Sequence, residues 1–127
     1  MCPLQWIYML NLNSLMIGTS KPQEMATFYE KVFGRKADMV EGSWYGWKVG
    51  ETFFSIGEHS EVKGNTKEAQ RILFNFETKE INEEFDRIKA LGAVVVKEPY
   101  DMGGNMMIAT FADPDGNYFQ LMTPWEA

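Results

Sequence analysis

Two kinds of apolar spacing take turns along the chain. Residues 12–21, "LNSLMIGTSK", and 71–80, "RILFNFETKE", alternate apolar and polar side chains with a period of two, as half-buried strands do. Each is followed by a period near 3.6. In "MATFYEKVFG" (25–34), Met25, Phe28, Tyr29, Val32 and Phe33 stand at i, i+3, i+4, i+7 and i+8. Near "NEEFDRIKALG" (82–92), Ile81, Phe85, Ile88 and Leu91 make the corresponding stripe. Both spacings predict helices with one face in the core. Ser20 with Gln23 predicts a capping box for the first helix and Thr78 a cap for the second, with Gly34 and Gly92 closing them. Two further strands, "ETFFSIGE" (51–58) and "GNYFQLMT" (116–123), each follow a glycine-bearing turn. The second turn, Asp113-Pro114-Asp115-Gly116-Asn117, is built almost wholly of turn-forming residues.

The matching features recur after about 60 residues, so the chain reads as a duplicated strand–helix–strand–strand–strand unit. The fold class is α+β in a single domain: one module over about 10–58, a polar linker over 59–70, and a second module over about 71–124. Alternation then assigns faces. Leu15, Ile17, Phe54, Ile56, Phe74, Phe76, Phe119 and Leu121 share the side that packs on the helices. The opposite side carries Ser14, Met16 and Gly18, Phe53 and Ser55, Arg71, Leu73 and Asn75, and Tyr118, Gln120 and Met122. Aromatic, sulfur and scattered polar groups together suit a ligand cavity better than a second core. In "SWYGWKVG" (43–50), Tyr45 and Trp47 take one face of a third strand and Trp44 the other. One set is expected to help wall the cavity, with Tyr45 and Trp47 as the candidates, or else to join a core or interface cluster, and alternation leaves open which face is inward.

Charge and composition narrow the partners. A net charge of −6 without a basic stripe argues against nucleic acid. The single cysteine, Cys2, excludes an internal disulfide and a cysteine metal cage, and suits a reducing compartment, so a cytoplasmic location is expected. The apolar run "PLQWIYML" (3–10) is too short to span a bilayer and is read as an extension packing on the domain or on a partner subunit. No membrane association is expected.

The chain resembles the vicinal oxygen chelate superfamily, which includes glyoxalases, bleomycin-resistance proteins and extradiol dioxygenases. The resemblance rests on the duplicated plan, on "FYEKVFG" (28–34), on "IKALGAVVVKEP" (88–99) and on "FADPDGNYFQL" (111–121). It implies two βαβββ modules whose sheets form a cupped half-barrel with a helix on each outer face, a ligand cleft between modules, and a homodimer. The superfamily's enzymes hold a divalent metal with a ligand from the first and last strand of each module. Here those positions fall at Ser14, at Ser55 to within one residue, at Leu73 and at Gln120. Only Gln120 carries a side chain suited to such a metal, so neither a metal nor another cofactor is expected.

The remaining candidates divide between chemistry and structure. His59, the only histidine, is read either as a general base or metal ligand beside Glu58 and Glu61, or as a loop residue bonding main chain. Arg71 with Asn75 offers a cationic fork toward the cleft, or an ion pair with Glu51, Glu77 or another acid. "YDMGGNMMIAT" (100–110) reads as a mobile connection beside the cleft, lined by Met106 and Met107. The expected function is metal-free binding of a small molecule, an antibiotic or aromatic metabolite, by Ser14, Met16, Tyr45, Trp47, Phe53, Ser55, Arg71, Leu73, Asn75, Tyr118 and Gln120. The alternative is a lyase, isomerase or dioxygenase with rearranged ligands around His59. No basis for catalysis converges in the sequence.

Overall fold

The structure is a computed structural model that describes residues 10–124, so Cys2 and all but the last residue of the 3–10 run lie outside the described residues. The order is β1 (Ser14–Thr19), α1 (Pro22–Phe33), β2 (Met39–Glu41), β3 (Trp44–Val49), β4 (Thr52–Glu58), β5 (Phe74–Glu77), α2 (Ile81–Ala90), β6 (Val94–Gly103), β7 (Met106–Ala112) and β8 (Tyr118–Met122). Two mixed four-stranded sheets result, in the orders β1-β4-β3-β2 and β5-β8-β7-β6. The first and last strands of each sheet's unit pair in parallel, β1 with β4 and β5 with β8. The duplicated plan is thus repeated strand for strand.

Register makes the face assignment physical. Leu15 lies beside Phe54 and Ile17 beside Ile56, while Phe74 lies beside Phe119 and Phe76 beside Leu121. All eight belong to, or pack against, one core that both sheets share. Phe54 of β4 meets Phe74 and Phe76 of β5, with ring centroids 6.0 and 5.9 Å apart. Helix α1 spans the junction: Tyr29 meets Phe54 at 4.9 Å and Phe119 at 5.8 Å, and Phe33 meets Phe76 at 5.4 Å. Helix α2 sets Phe85 on Phe111 and sends Arg87 to the carbonyls of Lys31 and Val32 at the end of α1.

The helix ends differ in part from the sequence expectation. Gly34 takes φ 75° and its N–H bonds to the Glu30 carbonyl, as a left-handed closure requires. The Ser20–Gln23 capping box does not form. Lys21 is the N-cap and Pro22 opens the helix, with Thr19 Oγ1 accepting the Lys21 N–H instead. Thr78 likewise accepts the N–H of Glu80, the N-cap residue, from outside the helix. The connection at Gly103–Asn105 is not a long lid. Gly103 pairs with Met106, and Gly104 and Asn105 both take positive φ, 62° and 65°, which makes a two-residue hairpin turn.

The turn Asp113–Asn117 is tied to the other half of the molecule. Asp113 Oδ1 accepts the main-chain N–H groups of Asp115 and Asn117, and Asp113 Oδ2 accepts the Tyr29 hydroxyl at 2.7 Å. Burial, then the Asp113 charge and hydrogen bond, pushes the Tyr29 phenol well above its usual range. Burial also raises the Asp113 carboxyl, against the hydrogen bonds it accepts. Lys21 completes the link, donating to the Pro114 carbonyl at 3.0 Å and standing 3.6 Å from Asp115. The helix signature "FY" and the "DPDGN" turn are therefore the two ends of one buried inter-module contact.

Candidate functional site

With both sheets turning their large apolar side chains to a common core, the opposite faces look outward. On the first sheet, that face carries Ser14 and Met16 from β1, Phe53 and Ser55 from β4, and Trp44 and Lys48 from β3, by register. Trp44 stacks on Phe53 with centroids 5.7 Å apart and planes 26° from parallel. The stack exists because two glycines lie beneath it. A Cβ on Gly57 would stand 2.6 Å from Met16 Cε and 3.1 Å from Trp44, and one on Gly46 would collide with the Phe53 ring. Both rings stay half-buried and Met16 is 51% exposed. The result is a flat, partly exposed aromatic and thioether platform.

The sequence expectation for β3 is corrected. Tyr45 and Trp47 face the core, and it is Trp44 that faces outward. Tyr45 lies opposite Ile56 and Trp47 opposite Phe54, both core residues. Trp47 is fully buried, with its indole N–H donated to the Arg35 carbonyl at 3.1 Å. Ser55, beneath the platform, is buried and donates to the Leu15 carbonyl at 3.4 Å.

The second sheet's outer face is chemically different. Asn75, Gln120, Thr110 and Lys97 lie in register across β5, β8, β7 and β6. Gln120 Nε2 donates to Thr110 Oγ1 at 3.1 Å. Met122 and Ile108 form the next rung, with Tyr100 beside Ile108 and Lys97 Nζ 5.2 Å from the Tyr100 ring centroid. Tyr118 lies opposite Ala112 on the same face. Leu73 precedes β5 and is exposed; it lines an apolar groove of about 350 Å³ with Leu12, Leu15, Phe54, Ile72 and Phe74.

Arg71 does not reach this face. It sits in a 3-10 turn, Ala69–Arg71, ahead of the strand, exposed and paired with Glu68 at 2.7 Å. Asn75, four residues on, therefore forms no fork with it. His59 takes the loop role: its N–H bonds to the Thr19 carbonyl, and its Nδ1 accepts the Glu61 N–H at 3.2 Å. Glu58 is engaged by Ser43 instead.

The superfamily's metal positions can be tested on the donors they hold. Ser14 and Ser55 offer hydroxyls, Leu73 offers no donor atom, and Gln120 offers a single amide oxygen. This set does not fit a divalent transition metal, which takes imidazole, carboxylate or thiolate donors. Among the described residues, no group of three or more His, Cys, Asp or Glu side chains gathers where it could hold a metal ion.

Comparison with known proteins agrees with the fold. A profile of the Glyoxalase/Bleomycin resistance protein/Dioxygenase superfamily matches residues 11–121. The chain belongs to this superfamily. A glyoxalase/bleomycin resistance protein/dioxygenase family enzyme from Burkholderia phytofirmans PsJN is similar at 25% identity and TM-score 0.72, over 90% of this chain and 98% of that one. A virulence protein from Salmonella typhimurium is similar at 21% identity and TM-score 0.71, over 93% and 99%. A glyoxalase-related enzyme from Fulvimarina pelagi shares 13% identity at TM-score 0.73, over 90% and 88%. A search of curated proteins gives no significant match. Among the described residues, no helix is long and apolar enough to cross a membrane.

Proposed function

We propose that this superfamily member is a small-molecule binding protein that works without a divalent metal at the enzymes' ligand positions. Its ligand is an aromatic metabolite or antibiotic stacked on Trp44 and Phe53. The observation that carries this reading is the platform itself: two half-buried rings and an exposed thioether laid over Gly46 and Gly57, on a face with no core to cover. Stacked aromatic pairs contribute about 0.5–1.5 kcal/mol beyond area burial and sulfur–aromatic contacts about 0.3–1.5 kcal/mol, enough to orient a flat ligand. The net charge of −6 favours approach of a cationic or neutral ligand over an anionic one. A second copy of the chain supplies the opposite wall, so the working form is a homodimer.

A thermal-shift screen of aromatic metabolites and antibiotics tests this directly. A ligand that raises Tm in the native chain and not in Trp44→Ala is expected. Silence across a broad screen, together with turnover of a vicinal-oxygen substrate, would overturn the reading.

A further inference from the structure

The rung Asn75–Gln120–Thr110–Lys97 crosses the whole second sheet on its outer face. Its members on β5 and β8 are uncharged amides and the one on β7 is a hydroxyl, while Glu77 and Lys97 bring charge to the two edges of the sheet. Glu77 belongs to edge strand β5, where it lies beside Met122, and Lys97 belongs to edge strand β6. Exposed Leu73 at one side and half-buried Ile108 at the other border the amides with apolar surface, over a buried Met122.

Hydrogen-bond accounting shows what the rung has left to give. Gln120 spends one N–H on Thr110, which keeps its other N–H and its Oε1 available. Asn75 is exposed and makes no side-chain hydrogen bond among the described residues, so its Oδ1 and Nδ2 are both available. Two adjacent amides then present donors and acceptors side by side. A carboxylate can use only the amide N–H groups and leaves both amide oxygens unmatched; an amidinium can use only the oxygens and leaves the N–H groups unmatched. A neutral carboxamide or lactam edge supplies one donor and one acceptor, and so engages an amide N–H and an amide oxygen together.

Granted the binding reading above, we infer that the second sheet's outer face recognises an uncharged amide or lactam group of the ligand through Asn75 and Gln120. The opposite charges at the two rims suit an amide dipole with its carbonyl toward Lys97 and its N–H toward Glu77. The bordering apolar side chains take the ring or alkyl part next to the amide.

Three isosteric probes test this: benzamide, benzoate and benzamidine, titrated by NMR chemical-shift perturbation of the native chain. Benzamide is expected to bind most tightly and to shift the Asn75 and Gln120 side-chain amide signals. Gln120→Leu is expected to weaken benzamide by roughly tenfold, the loss of one to two hydrogen bonds, and to leave the other probes nearly unchanged. Gln120→Glu, which adds a carboxylate at the same place, is expected to shift the preference to benzamidine. Unchanged melting curves confirm that both variants fold; if Gln120→Leu does not fold, Asn75→Ala carries the same comparison.

The inference is overturned if benzoate or benzamidine binds the native chain best, if none of the three binds, or if the preference survives the substitutions. In those cases the binding reading itself still stands or falls with the broad screen and the Trp44→Ala comparison.

Discussion

The two sheets match on the side they turn inward and differ on the side they turn outward. Inward, β1 and β4 offer Leu15, Ile17, Phe54 and Ile56, and β5 and β8 offer Phe74, Phe76, Phe119 and Leu121. Outward, the first sheet has a ring stack over bare backbone and the second a polar row of two amides, a hydroxyl and a lysine. Register explains why the inner sides agree: one core must be filled from both sheets, and its volume is fixed by contacts such as Phe54 with Phe76. No such constraint acts outward, so the two outer faces are free to carry different chemistry. The chemical difference between the halves of this chain lies there.

The largest way to break this contrast is to remove an inner ring. Phe119 is fully buried and touches Phe28, Tyr29, Phe76 and Phe111. Phe119→Ala is expected to cost about 3–5 kcal/mol in urea unfolding. A cost below about 1 kcal/mol would mean the shared core is not what holds the sheets together.

Next in size is the inter-module hydrogen bond. Tyr29→Phe removes the donor to Asp113, with an expected loss of about 1.5–3 kcal/mol. The same variant changes the alkaline limb of stability. Because the folded phenol ionises at higher pH than the unfolded one, its contribution is whole below the unfolded value near 10 and is lost as pH rises above it. Wild type should therefore lose stability above pH ~10 more steeply than Tyr29→Phe, by up to about 1.4 kcal/mol per pH unit. Parallel pH–stability curves would remove Tyr29 from the account.

On the outer face, Gly46→Ala drives a Cβ into the Phe53 ring, which unstacks Trp44. The expected cost is about 1–3 kcal/mol, with loss of near-ultraviolet circular dichroism from the stack. Gly57→Ala meets mainly the flexible end of Met16 and is expected to cost less. Smallest of all is Trp44→Ala, expected to change stability by less than about 1 kcal/mol while abolishing ligand-induced stabilisation. Equal stability losses in Trp44→Ala and Phe119→Ala would erase the distinction between the two sides.

How much of this was legible in the sequence follows from which signals are local. The inner positions were readable because strand and helix periods are themselves the record of which side is buried; the outer positions Met16, Phe53, Ser55, Asn75 and Gln120 followed as their complement. Strand β3 was not readable in this way. Aromatics occupy both of its faces, and only pairing with Phe54 and Ile56 decides that Trp47 goes in and Trp44 out. Arg71 was misplaced because "RILF" continues the alternation, although the chain turns before it reaches Phe74. Gly104-Asn105 carried a hairpin signal that the neighbouring glycine masked. The Tyr29–Asp113 bond joins residues 84 positions apart, and no local period reports it.

The central claim is that these outer faces bind a ligand without a divalent metal at Ser14, Ser55, Leu73 and Gln120. Elemental analysis of protein purified without chelators tests it most directly. The account predicts Ni, Zn, Fe and Mn far below one equivalent per chain, and ligand-induced stabilisation that is unchanged after EDTA treatment. A stoichiometric metal that is lost in Gln120→Ala would contradict it.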